Sequence, residues 1–183
     1  MGFDPSFRHW GVAFGTLSLD KNDEISIKML GVGLVSTSKS QKKQVRVNSD
    51  DYARAKHLFT TLSGVLNTYD PVLVFSEIPS GSQSANAAKG LGIALGVLSS
   101  LDVPVIQVLP GEAKEQFIGK RTASKQEMID EAYRLYPKLN WRLNPRTGKP
   151  IQDMEHAADA VASIHAGVNT PEFTDLRPFL TGL

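Results

Sequence analysis

Val72-Leu-Val-Phe-Ser-Glu77-Ile-Pro79 is the stretch on which the fold is decided. It begins as a continuous apolar run, the pattern of a strand buried on both faces. It ends in a carboxylate and a Pro-Ser-Gly loop. A glutamate at the exit of a buried strand is costly unless something pairs with it. A divalent metal is the simplest partner. Two other stretches can supply ligands: Gly2-Phe-Asp4-Pro5, and Glu155-His156-Ala-Ala-Asp159.

Upstream, the pattern predicts a very short strand ending at Asp4, a second over His9–Leu17 and a third over Ile25–Val35, with a turn at Asp20–Asp23. Residues 36–49 are polar and basic and read as a loop. Ser49-Asp50-Asp51 signals a helix start, and the apolar spacing carries that helix to about Tyr69. Downstream of Glu77, Ser84 is placed to cap a Gly- and Ala-rich helix over residues 85–101. Val103–Leu109 reads as another buried strand and 110–123 as a loop. Helices follow over about 122–136 and 154–167, separated by a long polar loop at 137–153. The segment from Asn169 reads as irregular. The expected organisation is one domain over 1–168 and a tail over 169–183. The first three strands, joined by short turns, are antiparallel; the last two, each reached through a helix, are parallel to the first. The fold class is α/β, a mixed five-stranded sheet with helices on both faces.

The composition of the 183 residues allows this: 41% are apolar and 21% charged, as in a globular domain. Cysteine is absent, which excludes disulfides and thiolate metal sites. No apolar run reaches the length of a membrane span. Asp4 and Arg8 fall where a signal peptide needs apolar residues, so a cytoplasmic location is expected. A net charge of +1 announces no polyanion globally, so any basic surface is local.

In the expected sheet, Asp4 and Glu77 lie side by side. Helical spacing puts Asp159 on one face with both His156 and Glu155. Taken singly, Asp4 before Pro5 starts a turn, Glu77 pairs nearly as well with a buried cation, and His156 reads as a structural histidine. Asp159 among alanines and a valine still needs a partner. Together the groups form an oxygen-rich site suited to Mg²⁺, with Mn²⁺ as a substitute. Two such ions about 4 Å apart can activate a water and stabilise the leaving oxygen in phosphodiester hydrolysis.

Gly2-Phe-Asp4-Pro-Ser-Phe-Arg8, followed by Trp10-Gly-Val-Ala13, resembles the opening motif of the RuvC family of Holliday junction resolvases. Val74-Phe-Ser-Glu77 resembles the second acidic motif. Leu109-Pro-Gly-Glu-Ala-Lys114, with Gly119 and Ala123-Ser-Lys125-Gln, is similar to the lysine-bearing segment, and His156-Ala-Ala-Asp159-Ala-Val-Ala to the closing helix. The resemblance implies an RNase H-like fold, a homodimer, Mg²⁺-dependent cleavage of four-way DNA junctions, and Asp4, Glu77, His156 and Asp159 as metal ligands. After the second acidic residue the family often carries an aromatic wedge; Ser80 stands there in this chain.

Three basic clusters stand out: Lys39, Lys42, Lys43 and Arg46; Lys114, Lys120, Arg121 and Lys125; and Arg142, Arg146 and Lys149. Any one alone reads as a solvated loop. The second and third are expected near the site and are assigned to DNA phosphates. The runner-up readings are an RNase H-like nuclease acting on other branched or single-stranded DNA and a junction-binding protein that does not cleave. An actin-like kinase needs two such domains, and Gly90-Leu-Gly92-Ile-Ala-Leu-Gly96 does not fit a dinucleotide motif, so no nucleotide cofactor is expected.

Overall fold

The carboxylate strand is β4 (Val74–Glu77), buried along its whole length. In the computed structural model it lies between β1 (Gly2–Asp4) and β5 (Val105–Val108), parallel to both. β2 (His9–Leu19) pairs antiparallel with β1, and β3 (Ile25–Ser36) antiparallel with β2, so the order is β3-β2-β1-β4-β5. The mixed five-stranded sheet is the one the sequence predicts. The structure describes residues 1–22, 24–78, 81 and 84–180. Ser80, and with it the expected wedge position, lies outside the described residues.

Successive strand residues point to opposite faces, and each face has its own core. Val74 and Phe3 belong to one, beneath α1 (Val47–Tyr69) and α2 (Ala85–Ser99); Leu58, Leu62, Ala94 and Leu98 close it. Phe75 and Val108 belong to the other, beneath α5 (Glu155–Gly167), which is backed by α3 (Pro110–Ile118) and α4 (Lys125–Leu135). Ten of the 13 residues of α5 are buried, because it is sandwiched between the sheet and two helices. Glycine makes the contact with the sheet: a Cβ on Gly11 would collide with the carbonyl of His156, and one on Gly2 with the carbonyl of Ala160.

Four sequence readings are corrected. Residues 110–118 form helix α3 rather than loop, with Pro110 in its first turn, the Glu112 carboxylate accepting from the Leu109 amide at 3.2 Å, and Gly119 ending it at φ +81°. β5 is a half-exposed edge strand, Val105 outward and Val108 buried. The strand at Glu77 is shorter than its apolar run, with Val72 66% exposed. The segment after Asn169 carries helix α6 (Pro171–Leu176), capped by Thr170, and its Phe173 is buried against Phe75 at 5.4 Å. The cap read at Ser84 is present, accepting from the Ala87 amide, and in the structure Ser124 caps α4 by accepting from the Glu127 amide. Among the described residues no helix is long and apolar enough to cross a membrane.

Candidate active site

Strand direction places the acidic groups. β1, β3, β4 and β5 run one way and β2 runs against them. Phe3 pairs with Ser76, so Asp4 and Glu77 are the next residues of two adjacent strands and leave the sheet together. The close approach of α5 at Gly2 and Gly11 brings its first two turns, with Glu155, His156 and Asp159, over that exit.

A chain of polar contacts runs through the site. His156 Nδ1 lies 2.5 Å from Asp4 Oδ2, and His156 Nε2 lies 3.6 Å from Glu155 Oε1. Lys125 Nζ donates to the same Glu155 oxygen at 2.7 Å. The His9 ring stacks on that of His156 at 5.8 Å, and Ser36 Oγ lies 3.1 Å from its Nδ1.

The remaining carboxylates are buried beside one another. Burial, then the charges of Asp159 and Asp4, push the Glu77 carboxyl up to about 9. Burial, then Asp4, pushes Asp159 up to about 7. Lys114, half-buried on α3, pulls both back toward ionisation. Burial opposes charge on His156, but the bond to Asp4 and the surrounding acids outweigh it and hold the imidazole above its ordinary value.

Among the described residues three buried carboxylate oxygens have no hydrogen-bond partner: Glu77 Oε1, Glu155 Oε2 and Asp159 Oδ1. Unpaired buried oxygens, with the Glu77 and Asp159 carboxyls pushed up by burial, are what a carboxylate cluster shows when no cation neutralises it. An all-oxygen donor set with a neighbouring imidazole fits a hard divalent ion. As placed, no three acidic or histidine side chains among the described residues already grip one ion, since Asp4 is turned to His156 and Glu155 to Lys125.

All four residues singled out in the sequence, Asp4, Glu77, His156 and Asp159, come together here. The cations divide. Lys114 faces the carboxylates, and Lys125 is tied to Glu155. Lys120 is paired with Glu127 at 2.9 Å and Arg121 with Glu115 at 2.7 Å, on the exposed rims of α4 and α3. Arg142, Arg146 and Lys149 are exposed on the 137–153 loop, which folds back on itself through a bridge between Leu143 and Pro150. Sequence reasoning missed the seating glycines Gly2 and Gly11 and the Lys125–Glu155 pair. A cavity of about 320 Å³ lined by Phe14, Tyr69 and Val72 opens at the opposite end of the sheet and takes no part in the site.

No family profile matches the chain. Among curated proteins it is similar to the crossover junction endodeoxyribonuclease RuvC of Chlamydia abortus, 33% identical over 141 residues, covering 72% of this chain and 79% of the relative. The RuvC of Chlamydia felis is 31% identical over 144 residues, with 73% and 79% covered. Among solved structures it is similar to Thermus thermophilus RuvC in complex with a Holliday junction substrate, at a TM-score of 0.59 and 22% identity, covering 90% of this chain and 89% of that one. This second likeness is one of fold.

Proposed function

The chain belongs to the RuvC family of crossover junction endodeoxyribonucleases, and we propose that it resolves four-way DNA junctions by divalent-metal-dependent phosphodiester hydrolysis at the Asp4, Glu77, His156 and Asp159 centre. The observation that carries this reading is the convergence of unpartnered buried carboxylate oxygens, from Glu77 at the exit of β4 and from Glu155 and Asp159 near the start of α5, on the Asp4 carboxylate at the exit of β1. Asp4, Glu77 and Asp159, with His156 or Glu155, would hold Mg²⁺ or Mn²⁺, two ions per site. When bound, such a pair supplies an activated water and charge stabilisation of the leaving oxygen.

The chain's own groups do the rest. Asp4 and Glu77 sit on adjacent strands of a buried sheet, which holds their separation fixed. His156 fixes the rotamer of Asp4 through its Nδ1. Lys114 keeps positive charge beside Glu77 and Asp159, which supports a role in meeting the scissile phosphate. Lys125 holds Glu155 and, 69% exposed, is open to a second phosphate.

A four-way junction has near two-fold symmetry, and paired cuts need two sites. We place the homodimer contact on α2, where Gly92 and Gly96 have open space above them and Leu91, Ile93 and Leu95 are only half-buried. The test of the function is incubation with a synthetic four-way junction and with linear duplex, in Mg²⁺ and in EDTA. Paired junction cuts in Mg²⁺ alone, lost in Asp4→Asn and Glu77→Gln while junction binding persists, are expected. Cleavage in EDTA, or full activity in both variants, refutes the assignment.

A further inference from the structure

Because β1, β3, β4 and β5 point the same way, the segments that follow them all leave from one edge of the sheet, the edge that carries Asp4 and Glu77. The segment after β3 is Thr37-Ser-Lys39-Ser-Gln-Lys42-Lys43-Gln-Val-Arg46, with four cations and no acid. From Ser38 to Arg46 every residue is exposed, and none of the four cations makes an ion pair among the described residues.

The strap is fastened to the loop that follows Asp4. The Thr37 amide donates to the Arg8 carbonyl at 2.9 Å, and the Thr37 hydroxyl donates to the Phe7 carbonyl. Arg54 of α1 donates to both Thr37 Oγ1 and the Phe7 carbonyl and stacks on the Phe7 ring at 3.9 Å. At the far end Asp50 accepts from the Ser40 amide at 3.0 Å. The nearby buried acid Asp51 is already neutralised by Lys89 and Arg54, so among the described residues the Asp50 carboxylate is set against four cations and the strap keeps a net positive charge. A basic segment tied at a set position beside a catalytic carboxylate differs from a freely solvated run.

We infer that residues 38–46 form a phosphate-binding ledge for one duplex arm of the DNA, on the β3 side of the carboxylates, with the Lys114 and Lys125 bank on the β5 side. This rests on the nuclease reading above. Lysines on a strap of this kind meet backbone phosphates and not base edges, so the ledge adds affinity without sequence preference.

The test compares the full chain with a Lys39→Ala/Lys42→Ala/Lys43→Ala/Arg46→Ala variant and with Lys42→Glu/Lys43→Glu. Binding to a labelled four-way junction and to linear duplex is followed across a salt series. The four side chains are exposed, so unchanged thermal melting is the folding control. If the ledge contacts two phosphates, the slope of log K on log salt becomes shallower by about 1.8 in the alanine variant. Affinity near physiological salt falls about tenfold or more, further in the charge-reversed variant, while the cleavage rate at saturating junction is kept. Unchanged affinity and slope on both DNAs overturn the ledge. So does a variant that loses binding to phosphatidylserine vesicles but keeps its binding to DNA. Should the wild type show no preference for the junction, the junction reading falls, and the slope on linear duplex still decides the ledge.

Discussion

Asp4 and Glu77 end two adjacent parallel strands, one step beyond the Phe3–Ser76 pair, and this enforced proximity adds to burial in raising the Glu77 carboxyl to about 9. In the unfolded chain the same group has its ordinary value near 4.5. Between those two values the folded state binds the extra proton. Stability without metal is therefore fully present at low pH and is lost as pH rises toward 9. Asp159 adds to this loss between its ordinary value and about 7. In EDTA the melting temperature should fall from pH 5.5 to pH 8.5, and Mg²⁺ should restore more of it at the higher pH, because ligation needs the ionised carboxylates. Glu77→Gln should melt at least about 3 °C above wild type in EDTA at pH 8.5, which is what roughly 1 kcal/mol is worth in a chain of this size. A flat pH profile in EDTA would exclude the buried carboxylate cluster.

His156 and Glu155 compete for one role. His156 is engaged with Asp4, and Glu155 keeps one unpartnered buried oxygen. His156→Ala should lower cleavage on the order of 10²-fold or more and raise the Mg²⁺ concentration required. A Mg²⁺ titration of both alanine variants separates them, and loss confined to Glu155→Ala would make Glu155 the ligand.

Lys114→Ala and Lys125→Ala should each weaken junction binding and lower the salt slope by about 0.9, one phosphate contact apiece. Lys125→Ala should in addition perturb Glu155, whose carboxylate it holds at 2.7 Å. Filter or anisotropy binding at several salt concentrations checks both, and unchanged slopes return the two lysines to a solvated role.

Gly11→Ala should cost about 1–3 kcal/mol, the range for overpacking, because the new methyl meets the His156 carbonyl at the seat of α5. Cleavage should fall with it, since Asp159 rides on the displaced helix. Chemical denaturation of the variant against wild type measures the loss; a cost below about 0.5 kcal/mol would mean that α5 is not seated through this glycine.

Leu95→Glu or Gly92→Arg on α2 should give a folded monomer that nicks a junction without resolving it. Light scattering of wild type and variant, free and with junction DNA, reads the outcome directly. A wild type that stays monomeric with the junction bound refutes the α2 contact.

Much of this was legible one residue at a time. An apolar run ending in Glu77, and Asp159 amid alanines, announce buried charge because burial and polarity conflict locally. Short turns and helical crossovers determine strand direction, and with it the pairing of Asp4 and Glu77. Helix α3 was hidden because its surface is polar, although Pro110, Glu112 and the Ala113–Phe117 spacing carried its signal. The exposure of β5 was not local at all: Val105 is uncovered because its strand stands at the sheet edge.

The order of strands and the identity of the acidic groups are written in the residues alone, since both follow from periodicity and from the free energy of burying a charge. Which cation meets which acid, why Gly2 and Gly11 are glycines, and that the strap after β3 is tied beside Asp4 emerge in the folded molecule alone. Those facts depend on where distant segments land: Lys125 and Glu155 are 30 residues apart, and His156 and Asp4 are 152 apart. Contacts of that range are set by packing across the sheet, which no local pattern encodes.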